Sequence, residues 1–412
     1  MNINSPDPSF VYLLPVPVQA GRTGSLGAVV YALSDQATAS LKPELICEYL
    51  PERILPSPSY LFAQGLSPHR LRHGLKARSF TKRIKEIVSN RIIVTWDAAL
   101  LPLIDVNAVR CFLQPLIPLS RGIISLRTLA HAAFFFGQLE SGPLKALEKS
   151  AELYDVFAGQ EIRSPERRLK ELIGIGRMLR EKHGALFDYQ LRGRKNKLGV
   201  LEYSYLNSAP ISLVNDEGEC GIMRVLRKEA AGFTVLFISC KQVDKPRLLN
   251  LNEYGGEIIA PLSVFTKERC MRLGFDLQGA LLTMSKYDPS SLLKAYEAVS
   301  HNDNPLYAFF SSMNNADRAF YEYSCHHEEL SDEISDLSEA FKKRVFLYTG
   351  DHERGKLSSE QYRLYESLSR QSLQTRYDAY MHETKLLVNR ADENDPAEAA
   401  LIQAIAAYPE SL

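Results

Sequence analysis

The sequence predicts an α/β unit, then a β unit, then an α unit. Three observations support this. Residues 1–190 set β-branched strands ahead of alternating strand and helix, short strands separated by turns begin near Lys197, and helical periodicity dominates from Asn304 to Leu412. At 412 residues the chain has room for more than one core. Boundaries are expected near residues 190 and 300, giving an α/β unit over 1–190, a small β-rich unit over 191–300 and an acidic helical unit over 301–412.

Ser9 to Val18 is apolar and β-branched, Gly21-Arg22-Thr23-Gly24 turns, and Ala28 to Leu33 returns, which reads as two strands. Leu45 to Tyr49 is a third strand. Gln64-Gly65-Leu66-Ser67-Pro68 is a turn into a helix that Ser67 can cap, with Pro68 at its first position. A basic helix spans Arg78 to Val88, and Arg91 to Trp96 is a buried-type strand. Helices follow around Val106–Leu113 and Leu126–Phe136. Glu161 to Tyr189 starts as a capped helix, with Ser164 at the N-cap and Pro165 at the first position. Leu169, Leu172, Ile173 and Leu179 form its apolar stripe. Farther on, Val214 to Gly218 is a turn, Phe233 to Ser239 and Glu257 to Ala260 are strands, and helical periodicity returns at Pro289.

Total charge does not point to a nucleic-acid binder, because 49 Lys and Arg balance 49 Asp and Glu. The distribution is uneven. Residues 1–190 hold 23 basic against 17 acidic residues, and residues 301–412 hold 11 against 20. A basic front and an acidic tail suit different partners. Six cysteines without a CxxC pair fit reduced thiols of a cytoplasmic protein. The N-terminal residues lack the basic start and apolar core of a signal peptide, and no apolar run approaches the ~20 residues of a membrane span. Glycine-rich phosphate loops, nucleophile elbows and His-Glu-x-x-His helices are absent, so no cofactor is expected. Cys325-His326-His327-Glu328-Glu329 is not expected to hold a metal, since adjacent helical residues point about 100° apart.

Several stretches, in order along the chain, resemble bacterial exonuclease I, a single-strand-specific 3′→5′ DNA exonuclease of the DEDD superfamily. Gln64 to Pro68 resembles the family's turn after the second catalytic strand. Leu186-Phe187-Asp188-Tyr189 with Arg194 to Leu198 is similar to the exit from the exonuclease domain. Arg272-Leu273-Gly274-Phe275-Asp276 is similar to a segment closing the β-barrel domain, and Leu306-Tyr307, Phe309-Phe310 and Asn315-Ala316-Asp317-Arg318 to the opening of the helical domain. The resemblance implies a ribonuclease-H-like exonuclease domain, a small Src-homology-type β-barrel domain and a C-terminal helical domain.

It also implies a catalytic pattern from which this sequence departs. The family holds two magnesium ions with four carboxylates and uses a histidine as base, as phosphodiester hydrolysis requires charge stabilisation on both oxygens. On that pattern the first-strand ligands fall on Leu14 and Val16, the next near Pro102, and the histidine and last aspartate on Arg163 and Arg168. Asp97 and Asp105 lie close enough to Pro102 to keep one ligand there. The expectation is a catalytically degenerate relative: no enzyme, no catalytic residue and no metal, binding single-stranded DNA or 3′ ends without hydrolysis. Two alternatives stand beside it, a scaffold or regulatory subunit of a larger complex and a nuclease whose metal site has moved to Asp97, Asp105, Glu161 and Glu166.

Candidate phosphate contacts are Arg163, Arg167 and Arg168, together with Arg70, Arg72, Lys76, Arg78, Lys82 and Arg83 of a segment that carries eight cations and one acid between His69 and Arg91. For both groups an ordinary solvated helix remains open, through the spacings Glu166–Lys170 and Arg167–Glu171 in the first. Tyr189 with Arg192, Arg194, Lys195 and Lys197 could dock an acidic peptide. The resemblance names one, the tail of single-stranded-DNA-binding protein, and a plain linker is the other reading.

Overall fold

The computed structural model describes residues 10–19, 25–34, 41–51, 53–136, 164–191, 193–215, 217–229, 232–252, 255–288, 290, 293, 305–327, 330–331, 334–389 and 395–409. Strands β1 (Phe10–Pro17), β2 (Leu26–Ser34) and β3 (Glu44–Cys47) form an antiparallel meander. After α1 (Pro58–Ala63), α2 (Pro68–Arg72) and α3 (Ala77–Val88), β4 (Ile92–Thr95) pairs in parallel with β1. Helix α4 (Pro102–Arg110) leads to β5 (Gly122–Ser125), parallel to β4, and α5 (Leu126–Phe135) follows. The sheet order is β3-β2-β1-β4-β5. β1 is central and buried on both sides, which is why its sequence is a continuous apolar run.

The pleat of β1 separates two cores. Tyr12, Leu14 and Val16 join the core under α6 (Pro165–Lys182), whereas Val11 and Leu13 join the core under α3 and α4. Ser164 caps α6 through the Arg167 amide at 3.3 Å, and Leu169, Leu172, Ile173 and Leu179 are buried as their spacing predicts. The stretch to Tyr189 is not one helix. It breaks at His183, and α7 (Gly184–Leu191) turns Phe187 onto Phe10, with ring centroids 6.2 Å apart.

The expected change to short strands at Lys197 is displaced. Residues from Gly193 to Asn207 form α8, which buries Leu201 against the second sheet. That sheet contains β6 (Ile211–Val214), β7 (Cys220–Glu229), β8 (Gly232–Ser239), β9 (Gln242–Asn252) and β10 (Ile258–Ala260), antiparallel in the order β10-β6-β7-β8-β9. Register shifts in β7 and β8 mark the bulges that bend it. Helices also return earlier than periodicity suggested, as α9 (Lys267–Leu273) and α10 (Leu277–Lys286). The expected helix at Pro289–Val299 lies almost wholly outside the described residues.

The C-terminal helices are α11 (Pro305–Ser311), α12 (Asn315–His326), α13 (Glu339–His352), α14 (Ser359–Val388) and α15 (Pro396–Ala406). They pack on the first sheet's helices through polar clamps. Arg53 pairs bidentately with Asp351 at 2.6 and 2.7 Å, and Ser57 donates to Glu383 at 2.7 Å. The two sheet regions are clasped at α5, whose Phe134 and Phe135 carbonyls accept from Arg272. Gly218, at φ +78°, sits so close to His131 that a Cβ there would lie 2.5 Å from the ring.

Candidate functional site

The first turn of α6 lies against the turn between α1 and α2. That turn needs Gly65, which adopts a left-handed φ of 57°. Ser67 occupies the N-cap of α2 without a side-chain cap bond. Arg168 is 4% exposed and donates to Gln64 Oε1 at the end of α1. Across the same seam Arg70 pairs with Glu166 at 2.9 Å. Burial opposes ionisation of Glu166, but bonds from its own backbone amide and from Arg70 win and lower its pKa. Arg167 is exposed and pairs with Glu171 at 3.7 Å, one of the two expected i,i+4 contacts. Arg72 stacks on Tyr408 at 5.3 Å. Arg163 lies outside the described residues.

The structure divides the candidate phosphate contacts into two faces. Arg70, Arg167 and Arg168 meet at the α2–α6 seam. Arg78, Lys82 and Arg83 belong to α3, with Lys76 at its N-cap, and this helix packs on the opposite face of the sheet. Arg78 is corrected outright as a surface cation. It is 8% exposed and donates to the carbonyls of Ser324 at 2.8 Å and His327 at 2.6 Å, fastening α3 to α12. Arg83 is exposed and pairs with Glu86 at 2.8 Å.

Leu14 and Val16 point toward α6 and are 4% and 2% exposed. The helix lies directly on them, since Gly176 brings its backbone so near Tyr12 that a Cβ would sit 2.8 Å from the ring. Pro102 opens α4 and is exposed. The carboxylates considered for a relocated site have separate duties. Asp97 caps the turn at Ala98–Leu100 through the Ala99 amide and lies 3.5 Å from Arg127. Asp105 is buried on the α3 side and accepts from the Leu116 and Ile117 amides at 2.6 and 2.9 Å. Burial pushes its pKa up to about 6 against the pull of those amides. Glu161 is outside the described residues. Among the described residues no three or more His, Cys, Asp or Glu gather in a metal-holding group.

The proposed peptide contacts turn inward. Tyr189 donates to the Ile259 carbonyl, and Gln190 Nε2 reaches the Gly256 carbonyl at 3.1 Å. Lys197 is bound to Glu257 at 2.5 Å and to the Gly255 carbonyl at 3.0 Å. These bonds join α7 and α8 to β10 and the strap before it. Arg192 and the side chains of Arg194 and Lys195 lie outside the described residues. Sequence reading missed Gln64 and Glu166 as partners. The signal was the position of Arg168, four residues before Leu172 on the buried stripe.

Sheet order, bent second sheet and helical tail define a three-part fold built on a ribonuclease-H-like α/β sheet. No protein-family model matches the chain, and no curated protein matches its sequence. Solved structures do. A product-bound structure of exonuclease I matches at TM-score 0.73 and 16% identity, covering 98% of this chain and 100% of that one. Escherichia coli exonuclease I with a dA16 oligonucleotide matches at 0.69 and 15%, covering 98% and 99%. An exonuclease I complex with SSB-Ct matches at 0.71 and 16%, with the same coverage. The chain therefore has the exonuclease I fold from end to end, as the resemblance implied.

This overturns the expectation that the protein is not an enzyme. The structures it matches are those of an exonuclease, one of them bound to product. An apolar pair on β1 is an observation about two positions and gives no positive evidence that hydrolysis is lost. No helix of the described residues is long and apolar enough to cross a membrane.

Proposed function

We propose that the protein binds single-stranded DNA, along the strand or at its 3′ end, on the face where the α1–α2 turn meets the first turn of α6. The observation that carries this reading is the full-length likeness to exonuclease I, one structure of which holds a dA16 oligonucleotide. The arginines gathered there support it. Arg70 and Arg167 are exposed and can exchange their carboxylate partners for phosphate. Buried Arg168 holds the turn in place through Gln64. In keeping with this reading, the units over 1–190, 191–300 and 301–412 act as domains of one cytoplasmic DNA-binding protein.

The test is anisotropy of a labelled dT oligonucleotide across a salt series, with and without magnesium, with each sample then run on a gel. Binding should weaken as salt rises, with a log–log slope of about 0.7 per phosphate contact. Absence of binding at low salt sinks the reading. The gel measures hydrolysis separately from binding.

A second partner is supported by the match to exonuclease I with SSB-Ct. We propose that an acidic peptide of that kind docks beside Tyr189 and Lys197, at the seam of α7, α8 and β10. Isothermal titration with an acidic, phenylalanine-ended peptide should detect it, and Lys197→Ala should weaken it. Because Lys197 is already paired with Glu257, an unchanged affinity in that variant would remove the site.

A further inference from the structure

Strands β7 and β8 set two thiols opposite each other. The register that sets Gly221 against Ser239 sets Cys220 against Cys240, and the Cys240 amide donates to the Cys220 carbonyl at 2.9 Å. Both side chains turn into the same core, where Cys220 is 2% and Cys240 7% exposed. Directly opposed residues of antiparallel strands stand ~4.5–5.5 Å apart at Cα, within the ~4.4–6.8 Å that a disulfide spans. Both are free thiols here.

The surroundings suit a dithiol pair better than two inert core residues. The Cys240 side chain, and then burial, push the Cys220 pKa well above the usual thiol range, so Cys220 is the member that keeps its proton. A proton held there can stabilise a thiolate on its neighbour, as in other reactive thiol pairs. Cys240 occupies the two-residue turn between Ser239 and Gln242, and exposed Lys241 beside it marks the short way in for a small oxidant. A third thiol, Cys270 of α9, is half-buried and packs on the same core. Its proton is already taken, because it donates to the Phe265 carbonyl at 3.7 Å.

We propose that Cys220 and Cys240 are a redox modification site, closed to a disulfide by hydrogen peroxide. The Cys240 thiolate attacks one peroxide oxygen, the O–O bond breaks and hydroxide leaves, so that Cys240 becomes a sulfenic acid. The Cys220 sulfur then attacks the Cys240 sulfur. The S–O bond breaks, and the departing hydroxide takes the Cys220 proton as water. Two thiols thus give two electrons and two protons to one peroxide, which leaves as two waters. The new bond ties β7 to the β8–β9 turn at the end of the sheet that meets α5, where Gly218 lies on His131.

The experiment treats the reduced full-length protein with hydrogen peroxide, blocks free thiols with iodoacetamide and maps tryptic peptides without reduction. Trypsin releases the three thiols on separate peptides, 198–224, 229–241 and 270–272, so a link names its partners. The expected product joins 198–224 to 229–241 with the loss of two hydrogen atoms, and dithiothreitol should restore both thiols. Cys240→Ser should lose the link, and Cys270→Ser should keep it. In the parent, oxidation should slow amide exchange across the β8–β9 turn about tenfold. Unreacted thiols, sulfinic acid without a link, a link to Cys270, or a link that leaves exchange unchanged would each overturn the proposal. The parent's own peptide map decides the matter should either variant fail to fold. No DNA enters the readout, so its failure leaves the strand-binding reading standing.

Discussion

Helices α3 and α6 carry similar charge on similar apolar stripes, yet the sheet puts them on opposite faces and gives their arginines different work. On α3, Arg78 falls on the stripe with Phe80, Thr81 and Ile84 and is drawn inside to bind carbonyls of α12. On α6, Arg168 falls on the stripe with Leu169 and Leu172 and is drawn inside to bind Gln64. The first joins two regions of the molecule. The second braces a turn beside two exposed arginines. A basic run thus says how much charge a helix carries, and the tertiary neighbours decide whether that charge is structural or available.

The contrast can be broken at its strongest point with Arg78→Ala. Two buried carbonyls would lose a charged donor and a cavity would open, so the unfolding free energy should fall by about 3–4 kcal/mol. Denaturant midpoints measure this, and oligonucleotide affinity per folded molecule should not move. A loss below 1 kcal/mol would mean that Arg78 is not a clamp.

Asp105 tests the same face by pH. Its folded pKa, raised to about 6, lies above the unfolded carboxylate value. The native state therefore holds more protons between the two values. Stability from the protonated form is complete below about pH 4 and is lost as pH rises through 6. Asp105→Asn cannot ionise and should keep roughly 2 kcal/mol that the parent loses between pH 4 and 7. Parallel stability curves for the two proteins would refute the assignment.

On the α6 side the effects should appear in binding. Arg70→Ala/Arg167→Ala should weaken the dT oligonucleotide about tenfold and reduce the salt slope, while Lys76→Ala/Arg83→Ala on α3 should cost less than about twofold. Equal losses would erase the distinction between the faces. The smallest expected effect is that of Glu166→Gln. Freed from its carboxylate, Arg70 should bind the strand about two- to threefold more tightly, and a weaker affinity would make Glu166 a needed brace.

Much of the local structure was legible. Ser164-Pro165 marked a helix start, and the stripe from Leu169 to Leu179 marked its buried face, because capping and helical period act over a few residues. The apolar run from Ser9 to Val18 indicated a strand, and the structure buries it on both sides. Helix α8 was misread because Gly199 and its tyrosines and valine resemble strand chemistry, and burial of Leu201 against the second sheet overrode that propensity. β5 was missed at four residues, and its pairing with β4 supplies what so short a segment cannot signal. At the candidate site, Arg70, Arg167 and Arg168 were legible as cations. Their carboxylate and amide partners were not, since Arg70 and Glu166 stand 96 residues apart.

By itself, then, the sequence determined the succession of α/β, β and α units, the helix starts at Pro68 and Pro165 and the buried stripe from Leu169 to Leu179. The tertiary structure alone decided that α3 and α6 occupy opposite faces, that Arg78 and Arg168 are interior, and that Tyr189 bonds β10 while Lys197 bonds the strap before it. The reason is physical. Caps and periodicity are interactions between near neighbours, whereas the face a helix covers depends on the parallel pairing of β1 with β4, strands whose paired residues Tyr12 and Val94 meet only when the whole sheet has formed.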